Sequence, residues 1–410
     1  MYQIIGIAAA FICLPFLTRI KRLGFGGALL ITGLLMSLFA GIAPETVKDS
    51  LIAVFTTSSL QNSMLAVIMI GMLGTILKRY GILDKIVRNL EVLIHNPKII
   101  LMLLPAILGM LPVPGGAMLS APFVKDISEN MHLAANRRTV INLAFRHVTP
   151  MFLIPFGSSM LLVNSILPEI GIYRLIALNI PLAICYVIAA YQFFLRNVAY
   201  EPTQAQGSAG VAVKNLVINF FPIYSIVLIN LIFGFPMWIS VLISLILTVF
   251  LSQEKRTYLQ TAWKGVNFST LFMLIGVYFV QNLIKSQAGV MQLCSNLFLS
   301  SSGLSVLFVI MLISVVLGLA TGLNLVSLGI LLPLIQMLPI SVDEKLIYVF
   351  FVCIWSFIGY YYSPLHLCQI LSNSYMGCSM GEAFKENIKL MPVLAIASFV
   401  LYYFYRLVLL

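Results

Sequence analysis

Residues 139–167 read TVINLAFRHVTPMFLIPFGSSMLLVNSIL. The run is largely apolar and long enough to cross a bilayer, which takes about 20 helical residues. Yet Arg146 and His147 sit inside it. An arginine at mid-depth costs about 3 kcal/mol or more unless it meets a partner or a water-filled cavity. Two residues on, Thr149-Pro150 interrupts the helix, because proline lacks an amide hydrogen and clashes with the preceding turn. Backbone groups freed inside a membrane must line a cavity or be buried in protein. A cation, an imidazole and a helix break at one depth therefore point to an anion site on a transport path. The plainer alternative is a structural arginine tied to carbonyls at a kink.

The rest of the chain supports a membrane setting. Of 410 residues, 61% are hydrophobic and 9% charged, and the mean hydropathy is +1.04. Soluble domains carry about 25% charged residues. The sequence thus reads as an all-α polytopic membrane protein without a soluble domain. The net charge of +11 reflects the sidedness of the basic residues and does not imply nucleic acid. The apolar run Tyr2–Leu17 has Arg19, Lys21 and Arg22 after it rather than before it. That order fits a first span with its N-terminus outside, not a cleavable signal. The six cysteines form no CxxC pair, so neither disulfides nor a metal site is expected, and no cofactor.

Hydropathy places spans at about 2–18, 23–43 and 62–78, a double segment at 98–124, then 139–167 and 172–195. The second half repeats the order: 214–233, 236–252, 266–284, a double segment at 303–339, then 345–375 and 388–408. The polar linker 201–213 divides a first unit, 1–200, from a second, 214–410. Both double segments are interrupted, by LGMLPVPGGAMLSAP at 108–122 and by LGLATGLNLVSLGILLP at 317–333. Thr149-Pro150 and Ser363-Pro364 are 214 positions apart, Ile70-Gly71 and Ile275-Gly276 205 apart. If the double segments are re-entrant hairpins, each half makes five crossings and the halves are inverted. The basic residues agree: 18 fall on the cytoplasmic side and 5 outside, with Arg146 the last of the 24. The expected architecture is therefore two inverted repeats of five transmembrane helices plus one re-entrant hairpin each. That gives about 10 spans and 2 hairpins, with both termini outside. Such repeats with broken helices meeting at the midplane are typical of secondary transporters.

Several residues are candidates for the site. The first hairpin tip has Pro114, Gly115 and Gly116, with Ser120 beyond; freed amides there can cradle an anion. Thr149 and Ser363 offer hydroxyls at the breaks, and His366 follows Ser363-Pro364. Together with Arg146 and His147 these form the expected substrate set. The second tip supplies Thr321, Gly322, Asn324 and Ser327, neutral oxygens and a turn that suit a cation such as Na⁺. Pro150 and Pro364 free further carbonyls beside it. All 13 carboxylates fall outside the span cores, which argues against an Asp or Glu proton relay. A coupling ion would be Na⁺ on neutral oxygens, or H⁺ on His147 or His366. Residues 81–95 read as an interfacial helix on the cytoplasmic side, with 286–299 its outer counterpart.

The segments LPVPGGAMLSAPFV, NLAFRHV and YSPLHLCQILSN together resemble an uncharacterised prokaryotic membrane family, domain of unknown function 401. That family is grouped with the ion-transporter superfamily of secondary carriers. The resemblance implies a scaffold, two re-entrant hairpins and two unwound spans around a midplane site. It puts substrate and Na⁺ near Pro114-Gly115-Gly116, Thr149-Pro150, Gly322-Leu323-Asn324 and Ser363-Pro364. Dimers are common in that superfamily. Its dicarboxylate carriers have Ser-Asn-Thr at hairpin and unwound span; this chain has no such tripeptide.

The expectation is a secondary active transporter of a small anionic solute, working by alternating access in the cytoplasmic membrane of a prokaryote. It is not expected to be an enzyme, for no nucleophile–base spacing or metal motif is present. Two other classes are weighed: an intramembrane enzyme on a lipid-linked substrate, with His147 or His366 as acid or base, and a non-transporting subunit of an envelope complex.

Overall fold

A computed structural model describes residues 2–17, 20, 23–110, 117–201, 207–252, 254–287 and 303–410. Among these the chain is all helical. The first half contains α1 (Tyr2–Leu17), α2 (Gly24–Ala40), α3 (Pro44–Thr56), α4 (Ser58–Arg79), α5 (Ile82–Leu93), α6 (Pro97–Gly109), α7 (Ala117–Asn130), α8 (Ala135–Val148), α9 (Ser158–Ile166) and α10 (Ile172–Phe194). The second half contains α11 (Ala209–Phe233), α12 (Met237–Thr248), α13 (Tyr258–Trp263), α14 (Phe268–Lys285), α15 (Gly303–Thr321), α16 (Asn324–Gln336), α17 (Val342–Tyr361), α18 (Leu367–Met376), α19 (Met380–Asn387) and α20 (Met391–Leu409).

Among the described residues six helical segments are long and apolar enough to cross a membrane: Ser58–Arg79, Ala135–Ile166, Ile172–Phe194, Ala209–Phe233, Lys255–Lys285 and Met380–Leu409. Shorter apolar helices include those at Pro97–Gly109, Ser305–Thr321 and Asn324–Gln336. The short helices α3, α13 and α19 fall in segments that hydropathy reads as connections. Local capping explains two helix starts. Ser341 accepts from the amide of Glu344 at the start of α17. At α19, Ser379 and Glu382 each cap the other's backbone amide. Helix α5 confirms the amphipathic reading of 81–95, with Ile82, Leu83, Ile86, Val87 and Leu90 buried along one face. Its expected counterpart at 286–299 lies almost wholly outside the described residues.

Burial divides the molecule into centre and periphery. Every residue from Thr139 to Val148 on α8 is buried, as is nearly all of α17. Helices α10, α11 and α20 instead leave large apolar side chains uncovered, such as Ile188, Ile232 and Leu407. Uncovered apolar faces of this extent suit lipid rather than water.

The helices pair reciprocally. Helix α6 packs on α8, and α15 on α17. Helix α7 packs on α18, and α16 on α9. Helix α2 packs on α14, and α12 on α4. The two interrupted segments thus each touch both broken spans and hold their ends together.

Two close approaches fix this packing. A Cβ on Gly109 would lie 2.2 Å from the Arg146 carbonyl oxygen. Gly322 has φ +67°, and a Cβ there would lie 2.7 Å from the Leu365 backbone. Only glycine lets the hairpins reach the broken spans at these points.

Candidate functional site

The first broken span does not stop at its proline. After α8, residues Thr149–Leu153 form one widened turn, closed by the Ile154 amide on the Thr149 carbonyl at 3.2 Å. Pro150 follows directly on α8, with Val148 and Thr149 both in the right-handed region, so its missing amide withholds a donor from a carbonyl of α8. The non-helical gap comes later, at Ile154–Gly157, and α9 begins at Ser158. In the second span α17 ends at Tyr361, and Ser363-Pro364 lies in the gap itself before α18.

The break hydroxyls do the same job in both spans. Thr149 donates to the Ala106 carbonyl at 2.6 Å, and Ser363 to the Leu319 carbonyl at 2.7 Å. Each ties its break to the first arm of its own half's interrupted segment. Neither residue is on the cavity wall described next.

A cavity of about 450 Å³ lies between the breaks. It is lined by Arg146, His147, Pro150 and Met151 from the first span, and by Tyr360, His366, Leu367 and Cys368 from the second. Gly322, Leu323 and Asn324 add the second tip, and Gly109 the end of α6. Among the described residues no Asp or Glu lines it, and Arg146 is its one Arg or Lys side chain.

Four helices begin on this wall. Gly157–Ser159 open α9, Asn267–Thr270 open α14, Leu323–Leu325 open α16, and His366–Cys368 open α18. First-turn amides lack intrahelical partners, and each helix start carries about half a positive charge. At α9, α16 and α18 no side chain caps those amides; at α14, Asn267 accepts from the Thr270 amide. Helix starts and a buried arginine, with no carboxylate among the described lining residues, are chemically suited to negative charge.

The two histidines meet edge-on, with ring centroids 4.9 Å apart. His147 Nδ1 lies 2.7 Å from the Leu143 carbonyl oxygen, and its Nε2 lies 3.1 Å from the Tyr360 hydroxyl. His366 Nδ1 lies 3.2 Å from the Tyr361 carbonyl oxygen, while its Nε2 is buried without a hydrogen-bond partner. The ligand atoms of His147, His366 and Cys368 all fall within 4.8 Å of one another.

Other expected residues sit elsewhere. Ser120 is buried behind the wall and donates to Asn142, which in turn donates to Ser372; it joins α7, α8 and α18 away from the cavity. Thr321 donates to the Leu317 carbonyl and accepts from the Leu323 amide, closing the second tip. Ser327 donates to the Ser314 carbonyl inside the same hairpin. Pro364 is not on the wall. Pro114, Gly115 and Gly116 lie outside the described residues. Sequence reading missed Ser158, Ser159, Asn267, Ser269, Thr270, Tyr360 and Cys368. Pro155-Phe-Gly-Ser-Ser held a helix-start signal that could have found the first two.

A second cavity of about 320 Å³ lies at the other end of α9 and includes Ser59, Asn62, Asn164, Ser165 and Asn230. Helix α9 thus contributes Ser158 and Ser159 to one cavity and Asn164 and Ser165 to the other.

A family model matches residues 8–405, almost the whole chain. The chain belongs to the family described as Protein of unknown function (DUF401). Among curated proteins none matches it. It is therefore an apolar, helical, membrane-type protein of this family, and the site geometry must carry any functional reading.

Proposed function

We propose that the chain is a secondary active transporter of a small anionic solute. One observation carries the reading: the cavity between the broken spans joins Arg146 to four helix starts and, among the described residues, has no carboxylate on its wall. Such a site binds negative charge by fixed dipoles and one guanidinium. The reciprocal pairing of α6–α8 with α15–α17, and of α7–α18 with α16–α9, supports two inverted repeats and hence alternating access. Ten crossings and two re-entrant hairpins accommodate the shorter helices.

The proposed setting is the cytoplasmic membrane of a prokaryote with both termini outside. Lys255, Arg256 and Lys264 precede Asn267–Thr270 and belong to the cytoplasmic side by the charge count. The anion cavity then faces the cytoplasm and the second cavity faces out, with α9 between them. Rocking of the hairpins and α9 would open one as the other closes. A gradient of Na⁺ or H⁺ would drive the cycle, and a second copy of the chain would complete the assembly.

The test is ligand-induced thermal stabilisation of the purified protein against mono-, di- and tricarboxylates, phosphate and sulfate, with and without Na⁺. A ligand that binds the folded state raises Tm. We expect one anion class to raise it, and Arg146→Ala to lose the shift. A flat panel for the wild type, or an undiminished shift in Arg146→Ala, would overturn the reading.

A further inference from the structure

We propose that His147, His366 and Cys368 form a three-ligand site for a borderline divalent cation such as Zn²⁺, with a fourth position open to the anion cavity. The two histidines are 219 positions apart in sequence, yet their rings lie 4.9 Å apart. Each has its Nδ1 against a backbone carbonyl oxygen, Leu143 for His147 and Tyr361 for His366. That bond sets the tautomer: Nδ1 carries the hydrogen and Nε2 keeps the lone pair. A carbonyl behind the ring of a ligating histidine is the usual support for such a metal site. His366 Nε2 is fully buried and without a hydrogen-bond partner, which a nitrogen with no ligand to meet would not keep at low cost.

The third atom is the Cys368 sulfur. All three ligand atoms lie within 4.8 Å of one another. A tetrahedral Zn²⁺ with bonds of about 2.0–2.3 Å needs spacings somewhat shorter, so the Cys368 side chain would move toward the two imidazoles, which keep their carbonyl bonds. Tyr360, 3.1 Å from His147 Nε2, would give up that bond to the metal, and the Arg146 side chain, hydrogen-bonded to Cys368, would then face the thiolate. On binding, the Cys368 thiol loses its proton to solvent through the cavity, and the thiolate and two neutral imidazoles donate the three bonds. Two nitrogens and one sulfur suit Zn²⁺ and disfavour Na⁺, Mg²⁺ and Ca²⁺, which take oxygen. This metal would therefore not be the Na⁺ coupling ion. Three protein ligands leave one position vacant, and here that position opens on a wall shared with Arg146. An anion entering the cavity could complete the coordination.

The inference does not depend on transport, because metal binding is read on the purified chain alone. The experiment strips the full-length protein with a chelator and titrates it with Co²⁺, then displaces the Co²⁺ with Zn²⁺. Expected is one metal per chain and a thiolate-to-cobalt charge-transfer band. Cys368→Ser should lose that band, and His366→Gln should weaken Zn²⁺ binding by about 100-fold or more. Cys378→Ser, at a cysteine outside the cluster, should change neither. A wild-type protein that takes up no Co²⁺ would overturn the site, and so would a charge-transfer band that survives in Cys368→Ser. The wild-type titration decides the first point even if a variant fails to fold.

Discussion

The two broken spans share a frame and differ in what they carry. In both, a hydroxyl at the break reaches a carbonyl on the first arm of the interrupted segment: Thr149 to Ala106 and Ser363 to Leu319. In both, a helix starts at the cavity just beyond the break. The first span adds charge, through Arg146, and passes its proline inside a widened turn. The second adds Tyr360, His366 and Cys368, and leaves its proline in the gap. Related frames thus hold unlike chemistry, and one cavity draws a guanidinium and an imidazole from one side and a phenol, an imidazole and a thiol from the other.

The largest expected effect tests that division of labour. Arg146→Gln should lower anion affinity by about 100-fold or more, on the scale of a lost charge-assisted contact, whereas Tyr360→Phe should cost under about 10-fold. Binding curves for both variants would break the comparison if the tyrosine mattered as much as the arginine.

Next come the close approaches. Gly109→Ala forces a Cβ against the Arg146 carbonyl and should destabilise by about 1–3 kcal/mol. Gly322→Ala combines a similar clash with a left-handed backbone and should cost at least as much. Gly377→Ala is the control: its φ is +71° but no atom lies within reach of its Cβ, so it reports backbone strain alone. Thermal unfolding in detergent should show both hairpin variants falling below this control.

The joints themselves should be weaker. Thr149→Val deletes the bond to Ala106, whereas Ser363→Ala deletes the bond to Leu319 together with the one it accepts from the Leu365 amide; each is worth about 1 kcal/mol. Ser363→Ala should therefore cost the more, and equal losses would mean that the Leu365 bond adds nothing. A double variant whose loss departs from the sum would mean that the two breaks move together.

Smallest is Ser159→Ala. It releases the Asn324 amide, which now donates to Ser159 at 2.6 Å. Anion affinity should shift by less than about 10-fold, and its direction says whether Asn324 then turns to the solute.

Much of this was legible in the sequence, and for local reasons. Hydropathy located the apolar helices, proline and glycine located the interruptions, and the apolar setting made Arg146 conspicuous. The hydroxyls were less legible, because Ser120, Thr149, Thr321, Ser327 and Ser363 look alike as residue types. In the fold each donates to a protein acceptor near it, a choice made by which acceptor packs closest. Cys368 carries no local signal, since a lone cysteine in an apolar run behaves as a small hydrophobe.

By itself the sequence determined a helical, apolar chain with breaks at set positions, since these follow from composition and short-range periodicity. Only the tertiary structure decided that four helix starts share one wall with Arg146, and that His147, His366 and Cys368 meet. Those meetings join distant segments: Arg146 lies 121 positions before Asn267, and His147 lies 219 before His366. They depend on how the interrupted segments pack across both broken spans, and no local pattern encodes that.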